Sequence, residues 1–185
     1  MVATQSSMLK LGTKASSFKL FDTNSKRTVT FSRSTTGKGF LFAFICNHCP
    51  FVIHLKKHFP RVFNNWLNRG IKVYAISSND TIEYPADSSE KMSEETLEFN
   101  FNFPYLFDET QHVARAYKAT CTPDFFLFNE HQKLVYRGQY DNSRPGGQIE
   151  VSGEDLINAV NRMIAGEKPS ENQIPSLGCN IKWKK

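Results

Sequence analysis

Between Gly39 and Ile76 the chain changes its hydrophobic period twice. Residues 40–45 (Phe-Leu-Phe-Ala-Phe-Ile) are continuously apolar after a Gly-Lys-Gly break. A short run of this kind suits a strand covered on both faces, as in a parallel sheet. Over residues 50–69 the apolar positions become Phe51, Val52, Leu55, Phe59, Val62, Phe63, Trp66 and Leu67. Those spacings of one, three and four draw a stripe along a helix. Lys56, Lys57, Asn64, Asn65 and Asn68 face the other way. Pro60 cannot donate to the Lys56 carbonyl and crowds it, so the pattern predicts a kinked helix. Gly70 suits its end. Residues 71–76 (Ile-Lys-Val-Tyr-Ala-Ile) read as the next strand, completing a strand–helix–strand unit.

Weaker signals flank this unit. Residues 18–21 and 28–31 predict a hairpin around Asn24-Ser25, and residues 89–99 a polar, acidic helix. Asp108 is placed to cap a short helix, with Gln111 as its reciprocal partner. Residues 125–128 and 134–137 form a second predicted hairpin. Ser152-Gly153-Glu154-Asp155 reads as a capping box opening a helix that carries Leu156, Ile157, Val160, Met163 and Ile164, closed by Gly166 and Pro169. The expected organisation is a flexible arm (1–14), a folded domain (15–166) and a polar C-terminal tail (167–185).

Composition narrows the class. A chain of 185 residues, 39% apolar and 22% charged, fits one globular domain. No apolar run approaches the roughly 18 residues of a membrane span, and the first residues lack the apolar stretch of a secretory signal. Four cysteines are too few for a disulfide scaffold, so free thiols in the cytoplasm are expected. The net charge of +5 is uneven, with residues 1–75 holding twelve basic side chains and one acid. The basic residues are scattered over several elements without a nucleic-acid motif, so no nucleic-acid partner is expected.

The candidate chemistry lies where the first core strand meets its helix, at Cys46-Asn47-His48-Cys49-Pro50. A Cys-x-x-Cys beside a strand–helix–strand unit reads as a thiol–disulfide site. A helix N-terminus favours a thiolate through its free N–H groups and dipole. Proline is comfortable at the first helical position, which makes Cys49 the N-cap. With Cys46 as N-cap, Pro50 would fall at the fourth position and lose a needed hydrogen bond. Cys49 is therefore favoured over Cys46 as nucleophile. His48, if charged, would favour a neighbouring thiolate, but an exposed loop histidine fits the pattern equally well. Zinc could use Cys46, Cys49, His54 and His58. The histidines flank the polar Lys56-Lys57 surface and no second Cys-x-x-Cys exists, so no metal is expected. Cys121 and Cys179 read first as buried structural thiols.

With Ala119-Thr120-Cys121-Thr122-Pro123-Asp124-Phe125-Phe126 and the closing helix, the cysteine motif resembles the thioredoxin-like superfamily over about residues 15–166. It looks specifically like the AhpC/TSA redoxin branch, and the Gly-Cys-Asn-Ile-Lys-Trp ending is similar to uncharacterised members of it. The resemblance implies a thioredoxin-like α/β fold, a central mixed sheet flanked by helices, here with an N-terminal hairpin and a mid-chain insert. It puts Thr122-Pro123 at the family's cis-proline, where backbone binds substrate. Cys49 takes the nucleophile's place and Val52 the usual second cysteine's. The resolving thiol is then Cys46, nearest in sequence and the expected partner, or Cys121, or Cys179. The peroxiredoxin motif Pro-x-x-x-Thr/Ser-x-x-Cys, set on Cys49, meets Phe42 and Cys46 at its first two fixed positions. The expected function is therefore thiol–disulfide exchange without an organic cofactor. Its partners would be protein or small-molecule disulfides and a dithiol reductant. A thiol peroxidase and a redox-inactive adaptor are the alternatives.

Overall fold

The structure, a computed structural model, describes residues 3–185. Along the chain lie β1 (Ala3–Gln5), β2 (Phe18–Asp22), β3 (Arg27–Phe31), β4 (Gly39–Phe44), α1 (Pro50–Lys56), α2 (Phe59–Asn68), β5 (Ile71–Ser77) and α3 (Ser89–Glu98). They are followed by β6 (Tyr105–Phe107), α4 (His112–Tyr117), β7 (Cys121–Thr122), β8 (Asp124–Asn129), β9 (Leu134–Gly138), α5 (Glu154–Ile164) and β10 (Leu177–Asn180). The main sheet has the order β3-β2-β6-β5-β4-β8-β9. It is mixed, since β4 runs parallel to β5 and antiparallel to β8. This is the thioredoxin-like arrangement that the resemblance implied.

The continuous apolar run of β4 is explained by its central place. Successive side chains point to opposite faces of a strand, and both faces are covered. Leu41 and Ala43 join a core with Val52, Phe59, Phe63 and Leu156 from α1, α2 and α5. Phe40, Phe42 and Phe44 join another with Phe18 and Phe31 of the β2–β3 hairpin and Tyr117 of α4. Every residue of β4 is buried. Both predicted hairpins, β2–β3 and β8–β9, are present.

Several local expectations are corrected. The kinked helix is two helices, because the ladder breaks before Pro60 and restarts with that proline in the first turn of α2, where its missing N–H has no intrahelical role. Asp108 does cap α4, accepting from the Val113 and Ala114 N–H groups at 3.3 and 2.9 Å. Gln111 does not return that bond; its side-chain amide donates to the Ser78 and Lys182 carbonyls at 2.8 and 2.7 Å. The capping box before α5 is not reciprocal either. Gly153, at φ 70°, is the N-cap, and Asp141 accepts from the Ser152 and Gly153 N–H groups at 2.8 and 2.6 Å.

The arm and the tail meet. β10 is the middle strand of a second sheet, β1-β10-β7, antiparallel to both neighbours. Residues 3–14 therefore do not form the free arm that their composition suggested; Met1 and Val2 lie outside the described residues. The tail's hydrogen bonds to the body include Asp80 N–H to the Lys182 carbonyl at 2.8 Å and Ile181 N–H to the Thr120 carbonyl at 3.1 Å. Among the described residues, no helix is long and apolar enough to cross a membrane.

Candidate thiol site

The sheet register brings the two motifs together. Phe44, the last residue of β4, pairs with Asp124, the first of β8. The loop leaving β4 and the Thr122-Pro123 segment entering β8 therefore share one end of the sheet. Cys49 is the N-cap of α1, with φ −70° and ψ 121°, and Pro50 opens the helix. The Cys49 carbonyl accepts from Ile53 N–H at 2.9 Å. Thr122–Pro123 is cis.

None of the four cysteines forms a disulfide, and all are buried. Cys49 Sγ lies 3.0 Å from the Thr122 carbonyl oxygen and 2.9 Å from Cys179 Sγ. Cys46, just beyond β4, sits 3.3 Å from Thr122 Oγ1, and its thiol favours the Cys49 thiolate. As a thiol, Cys49 donates to the Thr122 carbonyl. Its ionised form is favoured by the Cys46 and Cys179 thiols and by the nearby Val52 N–H. The Cys46 bond, against the opposing effect of burial and helped by Cys179, brings the Cys49 pKa down to about 5. The donors move oppositely. The bond to Cys49 and burial push Cys46 well up, while burial and the same kind of bond push Cys179 to about 12. Burial also raises Cys121, whose Sγ lies 3.7 Å from the Pro123 carbonyl. The thiols are thus unequal: one is poised as a thiolate, with Cys46 and Cys179 as its protonated neighbours.

Asp87 clamps the loop between Cys46 and Cys49. Its Oδ1 accepts from the Asn47 and His48 N–H groups at 2.8 and 3.3 Å. Its Oδ2 pairs with His48 Nδ1 at 2.6 Å and accepts from the Asn79 amide at 2.8 Å. Burial pushes Asp87 up, but the bonds from His48 and Asn79 outweigh it and hold it below the usual carboxylate range. The same pair raises His48. Tyr105 donates to Asn47 Oδ1 at 2.9 Å, and the His48 ring stacks on Tyr84 with centroids 5.4 Å apart. His48 is therefore an oriented partner of a buried carboxylate.

Donor atoms of Cys46, His48 and Asp87 lie within 4.8 Å of one another. Both Asp87 oxygens already hold two nitrogen partners each, so this cluster reads as a hydrogen-bonded clamp. The alternative zinc set is not assembled, since His54 bonds Ser143 Oγ at 2.9 Å and His58 bonds the Tyr140 hydroxyl at 2.6 Å.

Thr122 is placed differently from what the resemblance implied. Its strand edge is not open to a substrate, because Thr122 pairs with Cys179 and Cys121 with Asn180. Behind this edge lies Asp124, buried, with Oδ2 accepting from Ser6 Oγ at 3.1 Å and Oδ1 unpartnered. Burial raises its pKa to about 7. Asp87, Asn79, Tyr105 and Asp124 escaped the sequence reading. Asp124 directly follows Thr122-Pro123, but nothing in the sequence marks it as a buried acid. Asp87 is one of several acids between residues 80 and 98, and nothing in the sequence singles it out.

The fold and the thiol site define a thioredoxin-like redoxin. The model of the AhpC/TSA family matches residues 11–137, and the chain belongs to that family. It is similar to the crystal structure of an uncharacterized conserved protein from Geobacillus kaustophilus, 43% identical with a TM-score of 0.96, covering 100% of this chain and 97% of the other. A hypothetical protein from Sinorhizobium meliloti 1021 is 40% identical with a TM-score of 0.94, covering 98% of each chain. The thioredoxin domain of a thiol-disulfide oxidoreductase from Bacteroides vulgatus, 18% identical with a TM-score of 0.64, shares the fold over 84% of this chain and 99% of its own. No curated protein matches.

Proposed function

We propose that the protein is a thiol–disulfide oxidoreductase with Cys49 as its nucleophile. The observation that carries this reading is a thiol on the N-cap residue of α1, lowered to about 5, in contact with the protonated Cys179 thiol and three residues from the protonated Cys46. The thiolate attacks a substrate disulfide, forms a mixed disulfide and releases one thiolate product. A second protein thiol then displaces the other product, leaving an intramolecular disulfide. A dithiol reductant restores the starting state. Cys179, in contact with Cys49, and Cys46, whose thiol favours the Cys49 anion, are the candidates for the second step; Cys121 hydrogen-bonds away from it, toward Pro123. The substrates are protein or small-molecule disulfides, and a cytoplasmic setting suits a resting state of reduced thiols. Asp87 raises His48, and the negative charge of the Cys49 thiolate raises it further.

The test is reduction of glutathione disulfide and of an insulin disulfide with dithiothreitol as donor. Cys49→Ser should abolish both activities. Wild-type rates in that variant would overturn the reading.

A thiol peroxidase is the second reading. It is favoured by the complete burial of Cys49 beneath β10, which a peroxide passes more easily than a protein disulfide. Against it, Cys46 occupies the position where the peroxiredoxin motif has a hydroxyl. Peroxide consumption with a dithiol donor separates the two.

A further inference from the structure

The tail holds a built-in partner for the nucleophile. β10 lies between β1 and β7, with Cys179 paired to Ala3 on one side and Thr122 on the other. Its thiol is in contact with Cys49 Sγ at 2.9 Å across 130 positions of sequence. The segment is anchored at both ends, by Ser6 N–H to the Ser176 carbonyl at 2.9 Å and by Lys182 N–H to Asn79 Oδ1 at 2.8 Å. Short loops favour closure in an unfolded chain, which made Cys46 the expected partner from sequence. Folding removes that advantage, because Cys179 is already at contact distance.

We infer that Cys179 is the resolving thiol, and that the oxidised protein carries a Cys49–Cys179 disulfide tying the C-terminal strand to α1. The inference rests on the proposed thiol–disulfide exchange at Cys49. The Cys49 thiolate attacks a disulfide RSSR, forming Cys49–S–S–R and releasing RS⁻. Cys179 gives up its proton to the released thiolate and attacks Cys49 Sγ. The Cys49–Cys179 bond forms, the disulfide bond between Cys49 Sγ and the SR sulfur breaks, and a second RS⁻ leaves. The substrate gains two electrons and the protein loses two.

The surroundings discriminate between the two neighbours. A resolving thiol must become a thiolate in passing. Cys46 Sγ lies within 4.8 Å of the buried Asp87 carboxylate, which repels that charge. Lys182 acts on Cys179 in the opposite sense, favouring its thiolate. Cys46 also supplies the leading hydrogen bond to the Cys49 thiolate, so its place is that of a donor holding the nucleophile. A bulky substrate reaches Cys49 only by displacing β10 from the Thr122 edge, and the return of β10 delivers the resolving thiol.

The experiment treats the reduced full-length protein with one equivalent of glutathione disulfide. Free thiols are then blocked with N-ethylmaleimide, and tryptic fragments are mapped by mass. Cys46 and Cys49 share the fragment 39–56, and Cys179 lies on 163–182, because Lys168 precedes Pro169. The inference expects these two fragments linked in the wild type and in Cys46→Ser. It expects glutathione trapped on Cys49 in Cys179→Ser. A disulfide internal to 39–56, with Cys179 carrying maleimide, would overturn it in the wild type alone, whatever the variants do. If Cys49 acquires neither glutathione nor a protein partner, the exchange reading beneath it fails as well. Trapping on Cys49 without linkage to Cys179 in the wild type removes only the inference.

Discussion

Gly178 lies against the carbonyl of Thr122 with no room for a side chain between them; a Cβ at Gly178 would overlap both the carbonyl oxygen and its carbon. The next residue, Cys179, pairs with Thr122 and contacts Cys49. Close approach at one glycine therefore sets how tightly β10 closes over the nucleophile. Gly178→Ala meets backbone, which no rotamer change relieves, so β10 must lift. The expected cost is about 1–3 kcal/mol, read by urea denaturation. Cys49 should also react faster with a bulky aromatic disulfide at about pH 9, where even an unperturbed thiol is largely ionised. Wild-type stability together with a wild-type rate would show that β10 is no barrier.

Asp87 and His48 make a second testable pair. Asp87→Ala strands the Asn47 and His48 N–H groups, and each buried donor left without an acceptor costs about 1–3 kcal/mol. Asp87→Asn keeps an acceptor for the loop but removes the charge. His48, raised by that carboxylate, should then titrate nearer the free value of about 6.5. The pair also has a pH window. The raised His48 stabilises the fold at low pH and loses that contribution as pH rises through its folded value. The lowered Asp87 stabilises above its unfolded value and loses that as pH falls. Their joint contribution is therefore largest between about pH 4 and 6.5. A histidine NMR titration that is identical in wild type and Asp87→Asn would contradict this pairing.

The Cys46 bond is the leading cause of the low Cys49 pKa. Cys46→Ala should move the thiolate transition upward from about 5, toward the free-thiol range. Cys179→Ala should move it in the same direction but less, since its bond ranks behind Cys46. The ultraviolet absorbance of the thiolate during a pH titration reads both. A transition that stays put in Cys46→Ala would assign the shift to Cys179 and the helix terminus instead.

The elements that were legible in the sequence are those whose causes are local. The apolar run of β4, the stripe of α1 and α2, and Pro50 fixing Cys49 at a helix cap all depend on neighbours in the chain. The closure of the site was not legible, because its parts converge from afar. The sequence of residues 167–185 is polar, and its Leu177–Asn180 stretch is too short to announce a strand, yet pairing with both β1 and β7 makes it one. Pro60 was read as a kink because the stripe continues past it; the fold satisfies both signals with two helices. Asp141 caps α5 from another loop, a service no periodicity reports.

Asp124 and Cys49 should impose opposite pH slopes on stability. Burial raises Asp124 from 3.8 to about 7, so the native state binds more protons than the unfolded state across that window. Stability from this group therefore falls as pH rises toward 7. Cys49 is lowered from 9.0 to about 5, so the native state binds fewer protons across its window. Its contribution is fully present above the unfolded value and is lost as pH falls through the folded one. The two windows overlap between about pH 5 and 7, where the slopes oppose each other. Asp124→Asn should unmask a stability that rises from pH 5 toward 9, and Cys49→Ser one that falls from about pH 4 to 7. Taking the Asp124→Asn curve relative to wild type cancels the His48–Asp87 contribution; in Cys49→Ser, His48 also loses the thiolate that helps raise it. The measurement is urea denaturation of the reduced proteins at a series of pH values. Difference curves that are flat for both variants would mean that neither group changes its proton binding on folding.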